Sequence, residues 1–238
     1  QYCGGINDDL TCRLLPFVFA NSDLALLECT DSVLRVWNLV NDTETLVTRP
    51  AVTSVVTNGD FSASGGWTLT ATGTGAVATI SGGVLTLASP ATGGLAQAKR
   101  SVSIVETGTE HAFRIVVTRG PVYFRCGSTD GDDDIIGETL IDTGTHSLAF
   151  TNAAVTVYIQ LENREAQSRI VDSITFEAAG VMELPTTWVE ADLSLLRYDQ
   201  SGDVVFVACG GQQQRRIERR STRSWSYVLY KSGDGPFA

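Results

Sequence analysis

The chain has 238 residues, which is enough for one large domain or two modest ones. Its formal net charge of -10 disfavours general binding to DNA or to anionic lipid, and no apolar run approaches the roughly 20 residues that span a bilayer. Glycine is plentiful, and Val, Thr, Ile and Ser dominate the ordered-looking stretches. We therefore predict an all-β protein without membrane insertion.

The N-terminal segment contains short apolar runs that are separated by polar turn residues. This pattern predicts a meander of antiparallel strands. The predicted strands are "RLLPFVFA" (13–20), "DLALLEC" (23–29) and "SVLRVWNL" (32–39).

A middle segment follows, in which eight to ten strand-like runs recur at roughly ten-residue spacing between Gly, Asn and Asp. This spacing predicts a two-sheet antiparallel sandwich, plausibly a jelly roll. The runs are "AVTSVVT" (51–57), "WTLTAT" (67–72), "AVATIS" (76–81), "GVLTLAS" (83–89), "LAQAKRSVSI" (95–104), "HAFRIVVTR" (111–119), "PVYFRCGS" (121–128), "HSLAFT" (146–151), "VTVYIQLEN" (155–163) and "RIVDSITFE" (169–177).

The C-terminal segment begins with the pattern of one short helix, "TTWVEADLSLLRY" (186–198), where Thr187 is a candidate N-cap. Strands are then predicted at 203–209, 215–221 and 225–230. "SGDVVFVAC" echoes "SDLALLEC" from the N-terminal segment, as propeller blades or stacked sheets would.

An insertion explains this layout better than a row of domains, because a sandwich with neighbouring termini can enter a loop without opening the host sheet. We expect residues 1–50 and 181–238 to form one discontinuous, propeller-like β host unit. Residues 51–180 would form the inserted jelly roll.

The cysteines are odd in number and scattered, with no CxxC spacing. This pattern indicates neither a disulfide framework nor a zinc site. We expect Cys29 and Cys209, which lie in predicted strands, to be buried thiols, and the chain to be made in a reducing compartment.

The middle module resembles the carbohydrate-binding-module-like jelly rolls of glycan-active enzymes and phage virion proteins. The likeness rests on "VVTNGDFS" followed by "GW", on "RCGSTDGDDDI", on "TGTHSLAFT" and on "RIVDSITFE", in that order. It implies a β-sandwich, with glycan binding as an alternative function in adsorption to the host surface.

The flanks resemble the tail tubular or nozzle-type proteins of short-tailed bacteriophages. The likeness rests on Glu190, Ala191, Asp192, Leu193, Tyr198, Gln200, Ser201, Asp203, Arg220, Trp225 and Pro236. It implies a structural protein that is made in the host cytoplasm and built into the virion tail. The implied assembly is a homo-oligomeric ring around the DNA exit channel, and the ring is expected to be sixfold. It would contact other tail proteins, and the middle module would project from it as a decoration.

The stretch "NGDFSASGGWTL" (58–69) permits two interpretations. Asn58-Gly59 suits a tight turn, and Trp67 is either a core residue or an aromatic plane for sugar. Tyr123 and Tyr158 are the other candidate glycan-binding rings. Strand alternation favours the core for Trp67.

No cofactor is predicted, and calcium is the single metal considered. The acidic turn "STDGDDDIIGE" (128–138) departs from an EF-hand loop, because Ile135 and Ile141 replace its Gly and Glu. A solvated hairpin loop is the simpler interpretation. The jelly-roll resemblance implies a structural calcium at Asp60 and Asp172.

Catalysis would need a nucleophile with its base or two facing carboxylates. The histidines, His111 and His146, stand in or beside predicted strands without a surrounding motif. We therefore predict structural histidines and a chain that is not an enzyme.

The C-terminal arginines form a basic concentration in an acidic chain. Alternation along a strand sends them to opposite faces, which disfavours a phosphate clamp and sequence-specific nucleic-acid binding. Salt bridges to acidic neighbours or to adjacent subunits are the preferred interpretation. The residues are Arg215, Arg216, Arg219, Arg220 and Arg223.

Overall fold

The computed structural model describes residues 11–20, 22–40, 43–89 and 93–231. Their regular secondary structure is nearly all β, with antiparallel pairing and one short helix, so the predicted fold class is confirmed. No helix in these ranges is long and apolar enough to cross a bilayer. Cys3 and Pro236 lie outside the described residues.

The strands are numbered β1 to β21 in chain order. Their bounds are Arg13–Ala20, Asp23–Thr30, Val33–Val40, Thr43–Leu46, Thr48–Arg49, Thr68–Thr72, Val77–Ser81, Val84–Ala88, Leu95–Ser103, Glu110–Arg119, Val122–Gly127, Ile136–Ile141, Gly144–Thr151, Thr156–Asn163, Arg169–Phe176, Gly180–Val181, Glu183–Pro185, Arg197–Ser201, Val204–Ala208, Arg215–Ser221 and Ser224–Leu229. A 3₁₀ helix spans Glu190–Leu195.

The chain divides into two compact units. Unit 1 combines the residues before Arg49 with those from Gly180 onward, and unit 2 is Arg49–Ala179.

Unit 1 contains two antiparallel sheets that share one core. One sheet has the order β1-β2-β3-β17, with β4 also pairing with β3, and strands β18 to β21 form a meander. Phe17 from the first sheet meets Trp225 from the second edge to face, with 5.2 Å between ring centroids. Cys29 and Cys209, from the two echoing segments, lie in this core and are free thiols.

Unit 2 is also a two-sheet sandwich. Its sheets have the orders β7-β8-β15-β10-β13 and β12-β11-β14-β9-β6. Alternate residues of each strand point inward, and Phe113 at the centre stacks on Phe150 and Phe176 at 4.9 Å. This core is aromatic and aliphatic, so burial of apolar surface stabilises it.

The two ends of unit 2 meet in a buried ion pair. Arg49 donates from Nε to Glu177 Oε2 at 2.6 Å and from Nη2 to Ser147 Oγ at 2.7 Å. In unit 1, the corresponding chain ends are joined where Met182 N donates to Val47 O at 2.9 Å. The two ends of unit 2 are thus held together, and so are the two chain segments that make up unit 1.

The structure corrects three predicted elements. The helix predicted over 186–198 is reduced to Glu190–Leu195, because Arg197–Ser201 pairs with β19 instead. Residues 51–57 form no strand, since the N–H groups of Thr53 and Ser54 are donated to the Glu106 carboxylate. The acidic turn ends earlier than predicted, because β12 begins at Ile136.

Candidate functional site

The outer face of the sheet β12-β11-β14-β9-β6 in unit 2 is polar. Val157, Ile159 and Leu161 of β14 point into the core, so the alternate residues Tyr158, Gln160 and Glu162 point outward. The register places neighbouring strands in rows across this face. One row is Thr70, Gln97, Glu162 and Tyr123, and the next is Thr68, Lys99, Gln160 and Arg125.

Glu162 is the centre of this outer face. Its carboxylate accepts hydrogen bonds from Gln97 Nε2 at 3.0 Å and Gln160 Nε2 at 2.6 Å, and it pairs with Arg164 and Arg125. Burial raises the pKa of Glu162, but the hydrogen bonds from Arg164 and Gln97 outweigh it and hold the pKa below its ordinary value. Glu162 is therefore ionised.

Arg164 also binds Glu138 with two nitrogens, at 2.9 and 2.7 Å, so it bridges two carboxylates. Glycoside hydrolysis needs one protonated carboxylic acid beside one carboxylate. The hydrogen bonds to Glu138 raise the pKa of Arg164, which keeps the bridge charged. Of these two residues, Glu162 is the ionised carboxylate, and Arg164 bridges it to Glu138.

The two predicted tyrosines are both half-buried but differ in what contacts their rings. The guanidinium of Arg164 lies 4.5 Å from the centroid of the Tyr123 ring and covers it. Tyr158 is half-buried, and its cross-strand partners are the small residues Ser101 and Gly127. The acidic turn fills the space above Gly127, where Asp132 lies, so Tyr158 is partly accessible and has no cation over its ring among the contacts described.

Trp67 is a core residue. It is 8% exposed, packs against Phe61 at 5.2 Å, and donates from Nε1 to Asn58 O at 3.0 Å. The guanidinium of Arg100 lies over its ring at 5.6 Å. We therefore remove Trp67 from the glycan-binding candidates.

The predicted calcium ligands, Asp60 and Asp172, belong to no larger group of candidate metal ligands among the described residues. Asp60 Oδ1 accepts from Ser62 N and Oγ, and these bonds lower the pKa of Asp60. Among the described residues, no group of three or more His, Cys, Asp or Glu side chains could hold a metal. Calcium at Asp60 and Asp172 gains no support and stays a prediction.

The acidic turn uses its carboxylates for local bonds. Asp134 accepts from Ser128 N and Oγ at 2.7 Å, and Asp133 accepts from Glu138 N at 3.0 Å. Asp132 accepts from Thr129, and Asp130 pairs with Lys99 at 3.2 Å. These bonds shape the loop, as the hairpin interpretation expects.

The β20 arginines divide between the two faces of their sheet. Arg219 points inward, where it pairs with Asp23 at 2.7 Å and lies 4.2 Å from the Phe19 ring centroid. Arg216 and Arg220 point outward and both pair with Glu218. Arg215 lies over the Tyr227 ring, and Arg223 donates to Thr48 O.

One cluster was missed by the sequence analysis. His111 Nε2 lies 3.0 Å from Ser54 Oγ, a distance suited to a base and a nucleophile. Both residues are buried, and the Ser54 hydroxyl donates to Glu106 Oε2 at 2.8 Å and accepts from Val105 N. Hydrogen bonds from Thr53 and Ser54 lower the pKa of Glu106 to about 2. The cluster fastens the extended segment before Asn58 to the turn between β9 and β10.

Unit 1 carries a separate surface groove of about 300 Å³. It lies along β18 and β19, and the sequence analysis did not predict it because the predicted helix over 186–198 extended into the start of β18. Its lining residues are Arg197, Tyr198, Asp199, Phe206, Val207, Ala208, Gln214, Arg215 and Tyr230.

No protein-family model and no curated protein sequence matches the chain. Among solved structures, the crystal structure of the enzymatically active domain of tailspike protein 4 from bacteriophage CBA120 is similar, with a TM-score of 0.40 and 15% sequence identity. The match covers 53% of this chain and 21% of the tailspike chain. Because that domain is enzymatically active, the prediction that this chain is not an enzyme is wrong and is withdrawn. The likeness assigns no reaction or catalytic residue to this chain.

Proposed function

We propose that the chain is a structural component of a bacteriophage tail, a nozzle or tail-tube subunit in a ring around the DNA exit channel, with unit 2 as a decoration. The observation that carries the proposal is the role of the flank residues that resemble nozzle-type proteins. Four of these residues, Asp192, Leu193, Gln200 and Trp225, make contacts that hold unit 1 together.

Asp192 and Leu193 belong to the 3₁₀ helix. The Asp192 carboxylate accepts from Val189 N at 3.1 Å and from Gln212 Nε2 at 2.6 Å, while Leu193 enters the core. These contacts join the helix to the turn between β19 and β20. The short helical motif is therefore a structural joint of the unit.

Gln200 performs a second framework role. Its side-chain amide accepts from Val18 N at 3.0 Å and donates to Val18 O at 2.8 Å, as a neighbouring strand would. Because β1 and β18 belong to different sheets, this amide bridges the edges of the two sheets. A subunit that transmits contacts around a ring benefits from such cross-bracing.

The experiment is sedimentation of the full chain over a range of concentrations, with negative-stain electron microscopy of the same samples. We expect ring-shaped assemblies, formed alone or together with tail proteins. A chain that stays monomeric at high concentration, and in mixtures with tail proteins, would refute the ring.

A second candidate function is glycan binding by the outer face of unit 2, and Tyr158 is the observation that favours it. On the same face as this half-buried ring, Gln160 Oε1 and Arg125 Nε have no hydrogen-bond partners; both atoms are buried, so a sugar reaches them only after their side chains shift. Gln160 and Arg125 face each other across β14 and β11. An acceptor and a donor beside an aromatic ring are the groups that a sugar ring needs.

Glycan-array binding by the full chain tests this candidate. Tyr158→Ala should weaken binding about tenfold, which equals about 1.4 kcal/mol. Tyr123→Ala is the matched control, because its ring is covered by Arg164 and should contribute little. An array without hits, or equal losses in both variants, would contradict this assignment.

A further inference from the structure

Strand β1 lies at the edge of its sheet in unit 1, because β2 is its one partner strand among the described residues. Its outer side chains are apolar and open to solvent: Leu14 is 43% exposed, Val18 is 56% exposed and Phe19 is 53% exposed. Arg13 is the one charged residue of the strand. An apolar edge of this kind is a template for strand pairing, and a second copy of β1 is a matching partner.

The alternation of the backbone identifies the groups through which such pairing would occur. The N–H and C=O groups of Val18 bond to the side chain of Gln200, so they point away from β2. Every second residue of an antiparallel strand has this orientation, which places the backbone groups of Pro16 and Leu14 at the same edge. Leu14, Pro16 and Val18 are therefore the pairing positions of β1.

Two of these pairing positions are blocked. Proline has no N–H, so Pro16 offers no donor in the middle of the strand. At Val18, the Gln200 amide accepts from N at 3.0 Å and donates to O at 2.8 Å, so both groups are already used. The register also shifts between Val18 and Ala20, and such irregularities turn an edge away from a flat partner.

The Gln200 side chain is held firmly in this blocking position. Its Nε2 also donates to Gly202 O at 2.9 Å. Its backbone belongs to β18, where Gln200 pairs with Val205 of β19. The amide therefore reaches β1 from a fixed strand of the second sheet.

We infer that Pro16 and Gln200 close the β1 edge to pairing with a second copy of the chain. Pro16 removes a donor from the middle of the edge, and Gln200 occupies the Val18 groups as a neighbouring strand would. Gln200 thus prevents self-association in addition to bridging the two sheets. The inference does not depend on the proposed ring, and it implies that subunit contacts of such a ring lie elsewhere than at the β1 backbone.

The test is sedimentation of the full chain and of three variants over a range of concentrations, together with residue-resolved hydrogen exchange. Pro16→Val restores a donor and leaves an uninterrupted, uncharged apolar run over 14–20, while Gln200→Ala frees the Val18 groups. The third variant carries both substitutions. We expect it to self-associate at a concentration at least about tenfold lower than the unsubstituted chain, with each single variant between them.

Hydrogen exchange shows where the copies meet. In the double variant, the amides at positions 14, 16 and 18 should become more protected as the protein concentration rises, because these positions face away from β2. In the unsubstituted chain, protection of the Val18 amide should not depend on concentration, since its partner is Gln200 of the same chain.

Two controls separate edge pairing from a loss of stability. Tyr227→Phe removes the contacts of the Tyr227 hydroxyl with Thr187 N at 3.3 Å and Thr187 Oγ1 at 2.9 Å, and it leaves the β1 edge unchanged. It should therefore not increase self-association. Val18→Lys, added to the double variant, places a charge on the exposed edge and should restore the behaviour of the unsubstituted chain.

Three results would overturn the inference. A folded double variant that associates no more than the unsubstituted chain would show that the edge is not closed by these residues. Equal association of Tyr227→Phe would assign the effect to lost stability. Exchange at positions 14, 16 and 18 that is independent of concentration would place the contact elsewhere.

The single variants decide the question by the same exchange measurement where the double variant does not fold. Ring formation by the unsubstituted chain is observed separately by microscopy. A ring can therefore be present or absent with either outcome at β1, so failure of this inference is distinguishable from failure of the ring proposal.

Discussion

Units 1 and 2 are both antiparallel two-sheet sandwiches, yet they treat their surface charges differently. On the outer face of unit 2, Lys99, Arg125 and Arg164 are all paired with carboxylates. In unit 1, Arg197 and Arg215 form no ion pair among the described residues; Arg197 donates to backbone oxygens, and the Arg215 guanidinium lies over the Tyr227 ring. The comparison teaches that the same architecture can neutralise its arginines with carboxylates in one unit and hold them by ring and backbone contacts in the other.

The largest expected effects come from the core tryptophans, one in each unit. Trp225→Ala in unit 1 and Trp67→Ala in unit 2 should each lower the free energy of unfolding by about 3–5 kcal/mol, through lost burial and the cavity left behind. Residue-resolved hydrogen exchange should show the loss mainly in the substituted unit. Equal loss of protection in both units would show that they unfold as one body.

A somewhat smaller effect is expected at the ion pair that closes unit 2. Arg49→Met leaves the buried Glu177 carboxylate without this partner and should cost about 3 kcal/mol in urea unfolding. Arg164→Met is the matched control, because its side chain is 40% exposed, and it should cost less than about 1 kcal/mol. Equal costs would contradict the contrast between buried and exposed pairs.

The edge bridge of unit 1 should contribute less. Gln200→Ala removes the two hydrogen bonds to the Val18 backbone and should cost about 1 kcal/mol. Gln213→Ala, at an exposed site in the following turn, should change stability little in the same urea measurement. If Gln200→Ala left the free energy of unfolding unchanged, the Gln200 bridge would not brace the two sheets.

The smallest expected effect is a pH dependence at the turn of unit 2. Because the pKa of Glu106 is lowered to about 2, its contribution is present above the ordinary glutamate pKa and is lost as the pH falls toward 2. A carboxyl NMR titration should show this low pKa, and Glu106→Gln should remove the corresponding acid-induced change. Glu183→Gln in unit 1 serves as the control, and an ordinary pKa for Glu106 would refute the hydrogen-bond account.

The strand pattern of unit 1 was predicted closely from the sequence. The run at 23–29 corresponds to Asp23–Thr30, and the run at 215–221 corresponds to Arg215–Ser221. Alternating apolar residues make such strands visible, because each pairs with a neighbour and buries one face. It stays a prediction that residues 51–180 are an inserted domain that folds independently.

The sites were harder to predict because they depend on residues that are distant in sequence. Alternation places Tyr123 and Tyr158 on one face, but whether each ring is covered depends on Arg164 and on the small residues Ser101 and Gly127. The groove is lined in part by β18. The sequence analysis extended a helix into the start of this strand, because Leu193 and Leu196 just before it stand at helical spacing. Both leucines are buried, one in the 3₁₀ helix and one just before the strand.

The most direct test of the two-unit account is expression of residues 49–179 alone, followed by an NMR amide spectrum and a thermal melt. The account predicts dispersed amide signals that match those of unit 2 in the full chain, together with one cooperative transition. A collapsed spectrum without a cooperative melt would show that this stretch depends on the rest of the chain, and would contradict the account.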